Sequence, residues 1–155
     1  MYKVDGSSIG NGSGCGNAVA PVVPTPLMLQ QLASDGVTPV GDPIELLDRS
    51  DADGPLIEAP NLILVNGVYF LFFSSNCYTT PQYDISYVTA SSVNGPFTKS
   101  SSPLIVTNDP FNITVPEGAP ATDDGKNLVF HANCDAGRYM FERAIDISGT
   151  QVSIS

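Results

Sequence analysis

At 155 residues the chain has the length of one domain, and its 42% hydrophobic share is enough for a core, which excludes wholesale disorder. Only 14% of residues are charged, too few for long amphipathic surface helices, so an all-β fold is expected. The net charge of −10 argues against nucleic acid, whose phosphates need Lys and Arg, and suits a neutral substrate such as a sugar in an acidic medium outside the cell.

Tyr2-Lys3-Val4 reads as the end of a strand. Gly6 to Gly16 is rich in Gly, Ser and Asn and reads as a loop. The spacing in Pro26 to Leu32 fits a helix or a strand and leaves both open. Val37 to Ile44 reads as an outer strand and turn, and Leu46 to Gly54 as a polar loop. Asn61 to Val65 is a strand, and Asn66-Gly67 is a strong hairpin signal because both turn positions need a positive φ. Val68 to Phe73 is an unbroken apolar run, as expected of a strand buried on both faces. Tyr83 to Ala90 alternates as a third strand, and Asn94-Gly95-Pro96 turns into a short outer strand, Phe97 to Lys99. A second unit repeats the plan: strand Ala119 to Thr122, turn Asp124-Gly125, then strands Leu128 to His131, Arg138 to Ile145 and Gln151 to Ile154.

Two acid-to-cysteine units stand out. Glu58-Ala59-Pro60 precedes the first hairpin, and Glu117-Gly118-Ala119-Pro120 precedes the second, 59 residues later. Each hairpin ends at a cysteine, Cys77 and Cys134. Repeats of this length, rich in strands and turns, suggest the blades of a propeller, because one such unit cannot bury its own apolar face. The expected division is a partial blade over 1–45, a blade over 46–106 and a blade over 107–155.

No run of about 18 apolar residues occurs, and no signal peptide is visible after Met1. Three cysteines, Cys15, Cys77 and Cys134, allow one disulfide with one free thiol, or none. Two sequons, Asn11-Gly12-Ser13 and Asn112-Ile113-Thr114, matter only if the chain is secreted.

Glu58 is the leading chemical candidate. Apolar neighbours (Leu56, Ile57, Ala59 and Pro60) would favour a protonated carboxyl, as a general acid requires. The alternative is an ordinary glutamate ahead of a strand, and Glu117 carries the same pair of readings. His131, the only histidine, ends an apolar strand, where it serves either as a hydrogen-bonded core group or as a ligand or base. No His/Cys spacing suits a metal, and no serine-nucleophile elbow or phosphate loop is present. Asp48, Asp51 and Asp53 lack the closing glutamate of a calcium loop and read as solvated. Tyr78, Tyr83 and Phe73 lie near strand ends, where they stack on a sugar or belong to the core.

The segments Asp53 to Leu62, Tyr69 to Ser75, Tyr83 to Ala90 and Gly95-Pro96-Phe97 together resemble glycoside hydrolase family 43. The resemblance implies an all-β, five-bladed propeller present in part, about two to three blades of four antiparallel strands. It implies an inverting hydrolysis, in which one aspartate is the base on water, a glutamate is the acid, and a second aspartate tunes that acid. Glu58 matches the acid. The base belongs to the first blade, and the tuning aspartate lies ahead of Tyr2-Lys3-Val4; Asp5 falls too far along. Arg138 resembles an arginine that meets the active-site carboxylates, while His131 and Tyr83 fall on the substrate side. Where many members carry a G-x-G-H loop, this chain reads Glu117-Gly118-Ala119-Pro120.

No cofactor and no metal are expected, the resemblance implies a carbohydrate partner from plant cell walls, and no nucleic-acid, membrane or protein partner is expected. The full-length form is expected to be extracellular, acting on arabinose- or xylose-containing polysaccharide, and the 155-residue chain alone is expected to be inactive. A non-catalytic carbohydrate-binding propeller and a purely structural β-module are the alternatives.

Overall fold

The computed structural model describes residues 1–3, 15–108, 112–118 and 120–155. Val4, Asp5, the expected loop from Gly6 as far as residue 14, the Asn11 sequon and Ala119 lie outside the described residues.

The chain forms three successive antiparallel sheets. The first joins β1 (Tyr2–Lys3), β2 (Leu27–Leu29) and β3 (Ile44–Leu47) in sequence order. The second runs β4 (Ile57–Val65), β5 (Val68–Ser75), β6 (Asp84–Ala90) and β7 (Thr98–Lys99), again each beside the next. The third repeats this with β8 (Thr114–Glu117), β9 (Asn127–Cys134), β10 (Gly137–Ser148) and β11 (Gln151–Ile154). β1 and β2 pack beside β4, and β6 beside β8, so each later sheet meets the one before it through its own first strand. This is the architecture of a partial propeller.

The run Val68 to Phe73 shows why the sheets need one another. Side chains alternate across a strand. Phe70 and Phe72 enter a core shared with Leu128, Phe130, Ile145 and Val152 of the third sheet. Leu71 and Phe73 enter another, shared with Leu27 and Leu46 of the first. All four are fully buried. Tyr87 adds a tie across the first of these cores: its ring lies 5.9 Å from that of Phe72, and its hydroxyl oxygen accepts from the Val152 N–H at 3.1 Å. At Asn66-Gly67 both residues take the expected positive φ, 50° and 81°, and close the β4–β5 hairpin.

Several boundaries differ from the sequence reading. Within Pro26 to Leu32 only Leu27–Leu29 is a strand, because Leu27 and Met28 pair on both sides and Leu29 on one. Leu46 and Leu47 are not in a polar loop; they finish β3 and cross the division expected after residue 45. In the third sheet the first strand is Thr114–Glu117 rather than the stretch from Ala119 to Thr122. Ala121 makes only an isolated bridge to Leu128, since Pro120 has no N–H to extend a ladder. The Asp124-Gly125 turn carries a positive φ only at Gly125. Added bulk there would strike Val65 at 2.7 Å, so this glycine also seats the two sheets against each other.

Of the cysteines, Cys15 and Cys77 form a disulfide and Cys134 is free and exposed.

Candidate active site

Glu58 does not stand in a loop ahead of its hairpin. It is the second residue of β4 and pairs with Ser74. The next pair is Asn61 with Phe72, so three steps on β4 face two on β5, and one residue is bulged out. Ala59 sits in this break at φ 51°, a left-handed conformation that L-residues adopt at a cost and that is disfavoured again before Pro60. Such strain concentrates at functional sites.

The bulge sets where the carboxylate points. Ile57 packs in the core shared with the first sheet, whereas Ile63, of the same odd parity, packs in the core shared with the third. The extra residue has reversed the phase of the strand. Glu58 and its partner Ser74 therefore lie on the side that faces the third sheet, in line with Phe70 and Phe72. There the Gly118 N–H donates to Ser74 Oγ at 3.1 Å.

Tyr83 completes the acid's setting. Its phenol donates to Glu58 Oε1 at 2.5 Å. The side chain is fully buried, so Tyr83 reaches this site through its hydroxyl and offers no ring face for a sugar to stack on. Burial, then the bond to Glu58 and its charge, push the phenol far above the ordinary tyrosine range, and the Glu117 carboxylate adds to this. It stays a proton donor at any working pH. Phe73, the other expected stacking ring, is also buried, and Tyr78 is exposed.

Beside this pair, Arg138 gathers a second group. Its Nε donates to His131 Nδ1 at 2.7 Å, its guanidinium to Glu117 Oε2 at 2.7 Å and to Asn133 Oδ1 at 2.9 Å. With Nδ1 accepting, the proton of the neutral imidazole lies on Nε2, which stands 3.8 Å from Glu117 Oε2. Strand pairing opposes Glu117 to His131, and Arg138 reaches both from the next strand. A Cβ built on Gly118 would lie 3.4 Å from His131 Nε2, so the two clusters adjoin across Ser74 and Gly118. The residues expected at the site, Glu58, Tyr83, His131 and Arg138, thus share one region. Ser74 and Glu117 join them. The Ser74-Ser75 pair after the inner strand is the sequence signal that marks the first, and the acid repeat the second.

The two acids are not equivalent in their strands. Glu58 lies before its bulge. Glu117 lies after one, between the pairs Thr114–Asn133 and Glu117–His131, with Val115 at φ 54° before Pro116. The 59-residue repeat of acids therefore marks recurring blades without marking one recurring position.

The aspartates of the expected solvated loop divide. Asp51 is exposed beside Arg49. Asp53 is only 3% exposed, held by Ser50 N and Oγ at 2.8 and 2.6 Å and by an ion pair with Lys99. Burial pushes its carboxyl up, yet Lys99 and Ser50 outweigh this and hold it below the usual range. A pocket of about 170 Å³ opens here, lined by Asp53, Ser75, Asp84, Ser86 and Lys99. Ser75 points away from Glu58 by the alternation of β5, so this pocket is separate from the acid. Among the described residues, no three His, Cys, Asp or Glu side chains are gathered to hold a metal ion.

Asp84 gives a test of this packing. It is 5% exposed, accepts from Ser75 Oγ at 2.7 Å, and has its carboxyl raised by burial. A raised folded-state value costs stability once the pH exceeds the unfolded value, because the unfolded chain then ionises first. Asp84→Asn keeps an acceptor for Ser75 and removes that cost. The melting temperature of the variant relative to the parent is expected to climb from about pH 4 to pH 7, as followed by circular dichroism. A flat or falling difference would show that Asp84 is not desolvated.

The family model described as "Glycosyl hydrolases family 43" matches residues 20–151, most of the chain. A curated β-D-galactofuranosidase, xynD of Aspergillus niger, is 28% identical over 118 residues, 75% of this chain and 32% of that protein. Among solved structures, a thermostable family-43 glycoside hydrolase superposes with a TM-score of 0.75 at 22% identity, covering 90% of this chain and 50% of the other. An endo-1,4-β-xylanase from Bacteroides thetaiotaomicron superposes at 0.73 with 24% identity, covering 84% and 50%. The chain thus spans about a third of the curated relative and half of each of these structures. At these identities the structural likenesses speak for the fold.

Proposed function

The chain belongs to glycosyl hydrolase family 43, and on that premise we propose that it carries the acid half of an inverting glycosidase acting on arabinose- or xylose-containing polysaccharide. The observation that carries the reading is the buried Tyr83 phenol donating to Glu58 at 2.5 Å, beside a strained bulge that turns this carboxylate toward the third sheet. With Oε1 accepting from Tyr83, the proton that Glu58 delivers rides on Oε2. It passes to the glycosidic oxygen as the bond to the anomeric carbon breaks. A base on the opposite face of the sugar takes a proton from the attacking water, roughly 6.5–9.5 Å away in enzymes that invert. That base and the aspartate that tunes the acid are read as lying outside this chain, so the chain alone is read as inactive. His131 and Arg138 are proposed to line the substrate side, with Arg138 held in place by Glu117. The reading needs no cofactor and no metal.

The protein is proposed to act outside the cell. Its Cys15–Cys77 disulfide supports this, because such bonds persist in oxidising compartments.

The test is the stereochemistry of the product. With a complete propeller containing this chain, proton NMR of the first sugar released from an aryl arabinofuranoside or xylopyranoside is expected to show the anomer opposite to that of the substrate. The same anomer would overturn the inverting mechanism. Sugar binding by calorimetry, with no release from any such substrate, would favour a non-catalytic binding propeller instead.

A further inference from the structure

We infer that Asn112 is an acceptor for N-linked glycosylation. Asn112-Ile113-Thr114 has the acceptor pattern, with no proline in the middle. The fold leaves this sequon usable in the finished protein. Asn112 is exposed in a bend at φ 52°, two residues ahead of β8. Thr114, the residue whose hydroxyl the pattern requires, is exposed as the first residue of that strand. Between them Ile113 is only 2% exposed, packed in the core between the second and third sheets, and its carbonyl accepts from the Asn108 N–H at 2.7 Å. The acceptor amide therefore stands on an anchored base and faces water. A large hydrophilic chain there displaces no core residue.

The Cys15–Cys77 disulfide supplies the second, independent observation. Such bonds persist in oxidising compartments, and the secretory compartment that provides one in eukaryotes also holds the transferase for this modification. The donor is a lipid-pyrophosphate-linked oligosaccharide. The side-chain amide nitrogen of Asn112 bonds to the anomeric carbon of its first sugar. The bond from that carbon to the pyrophosphate oxygen breaks, the lipid pyrophosphate leaves with the electron pair, and the amide proton goes to a base of the transferase. No oxidant or reductant is involved.

The location has a consequence for the neighbouring cluster. The Val115 carbonyl accepts from Arg138 at 3.3 Å, so a glycan three residues earlier borders the group of Glu117, His131 and Arg138.

The experiment expresses the chain behind a secretory leader in a eukaryotic host and collects protein from cells and medium together. Release with a peptide amidase in heavy-oxygen water converts a glycosylated asparagine to labelled aspartate, read by peptide mass spectrometry. Label at position 112 in most copies is expected, lost on Thr114→Ala and retained on Thr114→Ser. Because the readout is a peptide, it does not depend on how well a variant folds, and Asn11 reports separately. Recovery of position 112 chiefly as unlabelled asparagine overturns the inference, as does a label that survives Thr114→Ala.

Discussion

Replacing Glu58 with glutamine in a complete enzyme is expected to slow hydrolysis of a glycoside with a poor leaving group by about 10²–10⁴-fold, the usual worth of a positioned proton donor. Glutamine preserves the shape and still offers Tyr83 an oxygen to donate to, so packing around β4 should survive. It has no proton to give. An alcohol leaving as its anion then bears the full charge in the transition state, and the rate falls accordingly. A leaving group acidic enough to depart without help, such as dinitrophenolate, should lose far less. The comparison of the two substrates is the measurement. Equal slowing of both would point to a damaged site, and no slowing of either would remove Glu58 from the mechanism.

The largest expected effect on stability comes from the cross-link. Cys15 and Cys77 are 62 residues apart in sequence, and both sulfurs are buried against Leu56. The loop they close forbids many conformations of the unfolded chain, and at this length the chain-entropy relation gives about 4 kcal/mol. Cys77→Ser should therefore lower the melting temperature by roughly 10 °C, judged from the entropy of unfolding of domains this size. Reduction of the parent should reproduce the loss, and reduction of the variant should add nothing. A variant as stable as the parent would mean that the segment before β2 is held in place by its other contacts. One of these is Asn17, whose side chain donates to the Pro55 carbonyl at 2.7 Å.

The fold was legible wherever local chemistry decided it. Asn66-Gly67 can hardly be anything but a hairpin, and an unbroken run such as Val68 to Phe73 demands cover on both faces. The strand ends were less legible, because bulges depend on the partner strand. Ala59 and Val115 precede prolines and adopt left-handed conformations that their own preferences oppose. Only the ladder around them imposes this, and so β4 and β8 begin earlier than their sequences suggest. The site shows the same divide. Glu58, Tyr83, His131 and Arg138 could be named one at a time as candidates, Glu58 and Arg138 through the resemblance and the other two from their own positions. Their partnerships were not. Tyr83 is 25 residues from the acid it serves, and Lys99 is 46 from the aspartate it neutralises. No window along the chain contains either pair, so Asp53 read as solvated although it is buried.

The bulge at Ala59 makes the place of Glu58 tolerant of a change in strand length. Loss of that single codon would leave Asn61 to Val65 paired with β5 as before, since the hairpin fixes them from the other end. Upstream, Glu58 would stand two places before Asn61 and so remain opposite Ser74, its carboxylate still toward the third sheet. A lineage could thus shed the strained residue in one step and keep this carboxylate in place, and descendants of that kind would be recognised by a gap beside an unchanged glutamate.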